Sequence, residues 1–189
     1  TPIQKEPSGE KIITQYEMHA AEDVGLIKFD ILGIRNLTIL GESIKIVKSN
    51  RNIDIDLKTI PLDDKKTFEM LGIGSTMGVF QLASSGMTKY LIDLKPERIE
   101  DLMVMVALYR PGPIAVIPEY IKRKRDPSLV KYLDPRMEKF LGASYGWIVY
   151  QDDLLFCAID LAGYSWEEAD KFRKAVGKKI PEEMAAQKD

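Results

Sequence analysis

The stretch Gly25-Leu-Ile-Lys-Phe-Asp-Ile-Leu-Gly33 alternates, and directly after it the period changes: Leu37, Leu40, Ile44 and Val47 recur at helical spacing. Alternation with period two predicts a strand with Ile27, Phe29 and Ile31 on one face and Lys28 with Asp30 on the other. The next segment predicts a helix N-capped at Asn36 and ended by Asn50 and Asn52. Upstream, Ile12, Thr14 and Tyr16 also alternate, so the first thirty residues read as a small β element.

Everything downstream reads as helix and turn. Asp63 or Asp64 can cap a helix through Phe68, Met70 and Leu71 that stops in Gly72-Ile-Gly-Ser-Thr-Met-Gly78. Ser84 to Leu94 is a second. Pro96 at a first-turn position opens a third, with Ile99, Leu102, Met103 and Val106 as its apolar stripe, and Arg110-Pro-Gly-Pro113 breaks it. Ile114 to Arg125 is read as helical in spite of Pro118, Tyr145 to Tyr150 as extended and Asp152 to Leu161 as helical. Ser165-Trp-Glu-Glu168 is a capping box opening the last helix, which ends in Phe172-Arg-Lys-Ala-Val-Gly-Lys-Lys179. The fold class expected is α+β, predominantly α-helical: a small N-terminal β element at residues 1–33, then a helical body at 34–189.

The chain has 189 residues, 45% hydrophobic and 30% charged, with 27 Lys+Arg against 29 Asp+Glu. At that length a core forms without disulfides or metals, burying roughly 70% of the unfolded surface. One Cys and one His exclude a disulfide framework and a Cys/His zinc site, leaving carboxylates as the abundant hard metal ligands. No 18-residue apolar run or signal peptide is present, so no membrane association is expected.

Four features could carry chemistry. Asp30, sharing a strand face with Lys28, suits a carboxylate holding a divalent cation against a phosphate, or a solvated ion pair. Lys171, Arg173, Lys174, Lys178 and Lys179 either complement a helix C-terminus or cradle a triphosphate or nucleic-acid backbone. Lys122-Arg-Lys-Arg125 is a solvated loop edge or a nucleic-acid contact. Gln151, Asp152 and Asp153 sit where acidic residues cap a helix. Gly72 to Gly78 matches no phosphate-loop spacing. Cys157 reads as an inert buried thiol, and His19 has no companion ligand. These residues alone do not choose between an enzyme and a binding module.

Six stretches together carry a resemblance. Gly25 to Gly33, Ile60-Pro-Leu-Asp-Asp64, Gly78-Val-Phe-Gln-Leu82 with Ser85-Gly-Met87, Ala107-Leu-Tyr-Arg-Pro-Gly-Pro113, Tyr145-Gly-Trp-Ile-Val-Tyr-Gln151 and Ala169-Asp-Lys-Phe-Arg-Lys-Ala-Val-Gly-Lys-Lys179 resemble the C-family replicative polymerases, the alpha subunits of bacterial DNA polymerase III. They fall in that family's order and cover nearly the whole chain.

The resemblance implies part of a DNA-directed DNA polymerase that adds deoxynucleotides to a primer by two-metal phosphoryl transfer during chromosomal replication. Residues 1–33 would be the end of a polymerase-beta-like palm and 34–189 the first part of the fingers. Asp30 takes the place of the third catalytic carboxylate and of a Mg2+ ligand. Arg173 and Lys174 match paired cations that meet the incoming triphosphate, Lys178 or Lys179 extends that surface, and Lys28 supports the phosphates from the palm side. Asp54-Ile-Asp56 follows Asp30 and is not assigned to the family's upstream Asp-x-Asp pair. Ala83 and Asp152 depart from the family pattern, where many members have Glu. The implied partners are primer-template DNA, deoxynucleoside triphosphates and other replicase subunits, in the cytoplasm. With one carboxylate of three, the isolated chain is expected to be inactive. The alternative is a noncatalytic helical module that binds nucleic acid or protein.

Overall fold

A turn at Glu6 to Lys11, closed by Glu6 N–H donating to Lys11 O at 2.8 Å, folds Ile3–Lys5 (β1) back on Ile12–Thr14 (β2). The pair is antiparallel, with Ile3 opposite Thr14 and Lys5 opposite Ile12. A computed structural model describes residues 1–29, 31–178 and 181–185. Among these, β1 and β2 make the one sheet. The strand expected across Gly25 to Leu32 is not formed at residues 25–29 or 31–32. Alternation proposes a strand, but a strand exists only through partners that satisfy its amides and carbonyls. Here Ile27, Phe29 and Ile31 are all exposed, so the alternation separates no inside from outside.

The chain divides into two compact units, Thr1–Ile55 and Asp56–Asp189. The first holds β1, β2, Met18–Asp23 (α1) and Arg35–Arg51 (α2). Glu17 caps α1 by accepting from His19 N–H at 2.9 Å. Ile34, not Asn36, is the N-cap of α2 and makes no side-chain bond; Asn52 ends the helix in the left-handed conformation, φ 54°. Asn tolerates that region because its short polar side chain bonds locally.

The second unit holds Lys65–Gly72 (α3), Ser85–Leu94 (α4), Ile99–Leu108 (α5), Ile117–Arg125 (α6), Glu138–Leu141 (α7), Gln151–Ala162 (α8), Trp166–Lys178 (α9) and Pro181–Ala185 (α10). Asp64 caps α3 through Thr67 N–H at 3.0 Å, and Ser84 caps α4 through Met87 N–H at 3.4 Å. Pro118 sits in the first turn of α6, where its missing N–H costs nothing. Leu71, Leu82, Leu91, Val104, Met105 and Tyr120 are among the residues of a core built from α3 to α6. Each such side chain contributes about 1.5–3 kcal/mol on burial.

Helix α5 differs from its sequence reading. It starts at Ile99 with Arg98 as N-cap, so Pro96 lies before the helix rather than in its first turn, and it buries Asp101, Val104, Met105 and Leu108, while Met103 of the expected stripe is half exposed. The helix is apolar nearly all round, so periodicity does not select a face. Asp101 lies on the buried side, where its carboxylate meets Arg98 and Lys124. Residues 145–150 form no strand either.

Candidate phosphate-binding site

Helix α9 starts at the expected capping box: Ser165 N–H donates to Glu168 Oε2 at 2.8 Å and Glu168 N–H to Ser165 Oγ at 3.3 Å. Helix α8 ends at Gly163 in the left-handed conformation, φ 75°, a position that favours glycine, and the chain reverses there. The two helices then pack together. The buried positions of α9 include the small residues Ala169 and Ala175. Edge-to-face ring pairs Phe156–Trp166 and Tyr164–Phe172 flank the turn.

On α9, the partly buried Arg173 and the exposed Lys174 are brought together by Asp170, one turn earlier. Asp170 Oδ1 accepts from Arg173 Nε at 3.0 Å and from Nη2 at 2.6 Å, and its Oδ2 lies 2.7 Å from Lys174 Nζ. These bonds, the one from Lys174 first, hold the Asp170 carboxyl below the usual carboxylate range. Arg173 Nη1 also donates to Gln151 Oε1 at the start of α8, 3.3 Å away. Lys171 turns instead to Glu167 at 2.9 Å. The paired cations keep net positive charge at an accessible surface, which suits an anion.

Gln151 is placed by a braced segment. Asp153, buried in the first turn of α8, accepts from Val149 N–H and Tyr150 N–H, both at 2.8 Å, so its role is capping. Ser144 Oγ lies 2.6 Å from Trp147 O, as donor. Arg123 stacks over the Trp147 ring at 4.4 Å and donates to Tyr145 O at 3.1 Å. Arg98 lies 5.3 Å from the Tyr145 ring centre and donates to Ala143 O at 2.8 Å.

The other sequence candidates are placed as follows. Asp30 lies outside the described residues, as do Lys179 and the side chain of Lys178. Lys28 is exposed in the coil of the first unit. Within the run Lys122 to Arg125, Arg123 and Lys124 are turned to internal structure, while Lys122 and Arg125 are exposed. Lys122 pairs with Glu119 at 3.4 Å, Lys124 with Glu97 at 3.0 Å and Asp101 at 3.5 Å, and Arg125 donates to Asp93 O. Burial pushes the half-buried Cys157 thiol up. Among the described residues no group of three or more His, Cys, Asp or Glu could hold a metal ion. No helix among them is long and apolar enough to cross a membrane.

Sequence reading missed Asp170, although its i,i+3 and i,i+4 spacing to Arg173 and Lys174 was visible. It also missed the contact between Gly86 and Tyr109. A Cβ on Gly86 would overlap the Tyr109 hydroxyl, so this contact ties Ser85-Gly-Met87 to Ala107-Leu-Tyr109 in space.

Residues 36–189 match the bacterial DNA polymerase III alpha subunit finger domain, and residues 1–33 match the bacterial DNA polymerase III alpha NTPase domain. The chain is 47% identical over 188 residues to the DNA polymerase III subunit alpha of Thermus aquaticus, covering 97% of this chain and 15% of that protein. It is 46% identical over 178 residues to that of Staphylococcus aureus (strain COL), covering 94% and 16%. Against Staphylococcus epidermidis (strain ATCC 12228 / FDA PCI 1200) it is 46% identical over 168 residues, covering 89% and 16%. The chain thus spans about 15–16% of the length of these relatives.

Proposed function

The chain belongs to the family of bacterial DNA polymerase III alpha subunits, and from that premise we propose that it is a polymerase segment whose α9 surface receives the triphosphate of an incoming deoxynucleotide. Residues 1–33 are then the end of the palm and 34–189 the first part of the fingers. The observation that carries the reading is the accessible pair Arg173 and Lys174, gathered by one carboxylate on a helix packed firmly against α8. Arg173 offers planar N–H donors to phosphate oxygens, and Lys174 offers a point charge. Lys178 and Lys28 are proposed as further phosphate-binding cations.

The reaction proposed for the parent polymerase is primer extension on template DNA, with other replicase subunits as partners in the cytoplasm. Mg2+ supplies charge neutralisation at the triphosphate and activation of the primer hydroxyl when bound. Among the described residues no group of three or more His, Cys, Asp or Glu could hold such an ion. Asp30, which lies outside them, is proposed from the family membership as a catalytic carboxylate that would hold Mg2+ together with further carboxylates of the parent polymerase. This chain's share is to hold the triphosphate and orient it.

Primer extension by the 189-residue chain tests the reading. No product is expected at any Mg2+ concentration. Product that disappears in Asp30→Asn would overturn the assignment of the chain as an incomplete catalytic site.

A further inference from the structure

Asp170 stands between the two cations proposed to bind triphosphate, and its place there admits two opposite readings. A carboxylate bonded to both could be a competitor that an incoming anion must displace. It could equally be the part that sets the cations in order before the anion arrives.

The donor count decides. An arginine carries five N–H groups: one on Nε and two on each Nη. Asp170 Oδ1 takes Nε and one N–H of Nη2, at 3.0 and 2.6 Å, and Gln151 takes one N–H of Nη1 at 3.3 Å. One N–H on each of Nη1 and Nη2 is left. Each can donate to an oxygen of a phosphate. The plane itself is held from two helices, by Asp170 on α9 and by Gln151 on α8, whose start is braced by the buried Asp153. Lys174 spends one contact on Asp170 and keeps two N–H donors. A free arginine side chain must lose rotamer freedom on binding; a tethered one has lost it already.

We infer that Asp170 is a positioning residue, which together with Gln151 holds the guanidinium of Arg173 in place and presents its remaining N–H donors to phosphate. This rests on the reading of Arg173 and Lys174 as the triphosphate site and names what makes that site work.

The sign of one substitution separates positioning from competition. Asp170→Asn adds one positive charge to the local balance, so electrostatics alone predicts tighter triphosphate binding. Positioning predicts weaker binding. The experiment is titration of the 189-residue chain with dATP at low ionic strength without divalent metal, followed by calorimetry and by the Arg173 Nε–H resonance.

Arg173→Ala is expected to abolish binding. D170N is expected to bind about tenfold more weakly than wild type, because a neutral amide holds Arg173 less firmly than the carboxylate that accepts two of its N–H groups, and its Nε–H resonance to broaden. D170E, which keeps the carboxylate, is expected to recover most of the affinity, and Gln151→Leu to weaken binding in the same direction. Circular dichroism confirms that each variant is folded. If D170N binds as tightly as wild type or more tightly while R173A does not bind, the inference is overturned and the site stands. If R173A titrates like wild type, or wild type does not bind, the site itself is wrong and the inference falls with it.

Discussion

Asp101, fully buried at the start of α5, lies 3.5 Å from Lys124 Nζ on α6, itself only 8% exposed. The carboxylate also accepts from Glu97 N–H at 3.0 Å, Arg98 Nε at 3.3 Å and the Tyr120 hydroxyl at 3.4 Å, and burial pushes the Tyr120 phenol well up. Asp101→Asn leaves the buried Lys124 ammonium with the exposed Glu97, 3.0 Å away, as its remaining carboxylate, and deprives Arg98 of its buried partner. A loss of about 3 kcal/mol in unfolding free energy is expected, because one charge of a buried network is removed. Urea denaturation checks this, and D101N/K124M should recover more than half of the loss. A D101N midpoint equal to wild type would contradict the ion pair.

Gly86 in α4 faces the Tyr109 hydroxyl with no room for a Cβ. Helix propensity alone says that Gly86→Ala should stabilise. Overlap says the reverse, by about 1–3 kcal/mol, since the ring is rigid and pairs edge-on with Tyr90 at 6.2 Å. Thermal melts of G86A, Y109F and the double variant decide. Y109F should relieve much of the G86A cost, and strict additivity would show that the two do not touch.

Arg123 combines stacking on Trp147 with a bond to Tyr145 O, two roles that a lysine cannot fill together. Arg123→Lys should cost about 1–2 kcal/mol and alter Trp147 fluorescence. Lys122→Ala, whose ammonium pairs only at the surface with Glu119, should change stability by less than about 0.5 kcal/mol. The contrast tests whether the basic run is internal structure. Equal and small effects for both would restore it as a solvated patch.

Asp134 accepts from Arg136 N–H and from its guanidinium Nε, both at 2.9 Å, and these bonds pull its carboxyl down to about 2. A depressed folded value contributes stability that is complete above the ordinary carboxylate pKa and lost as pH falls through the folded value. The Asp134 contribution is therefore present above about pH 4 and disappears between about pH 4 and 2. Asp134→Asn should flatten that part of the stability–pH curve and leave the slope above pH 5 unchanged.

Features set within one turn were legible in the amino-acid order. Ser165 and Glu168 are three residues apart and cap each other as the spacing demands. Asp64 and Ser84 cap α3 and α4 for the same reason. What depends on distant partners was not. The cations of Lys122 to Arg125 look like a surface charge run until Glu97, Asp93 and Tyr145 are brought to them by the fold. Helix α5 is apolar on both faces, so its periodicity does not tell which is buried, and Asp101 goes in with Val104, Met105 and Leu108. The alternation from Gly25 to Leu32 names a strand, yet pairing is a property of two segments, and β1 and β2 pair with each other instead. In the candidate site the cations Arg173 and Lys174 were visible as charges. The bond from Arg173 to Gln151 joins two helices and was not.

The most direct test of the central claim is the salt dependence of dATP binding by the wild-type chain and by R173A/K174A. Wild type should bind saturably and lose affinity steeply as salt rises, and deoxyadenosine without phosphates should not bind at all. The double variant should lose binding at low salt, because the phosphate contacts are gone. Binding by R173A/K174A with the affinity and salt dependence of wild type would contradict the account.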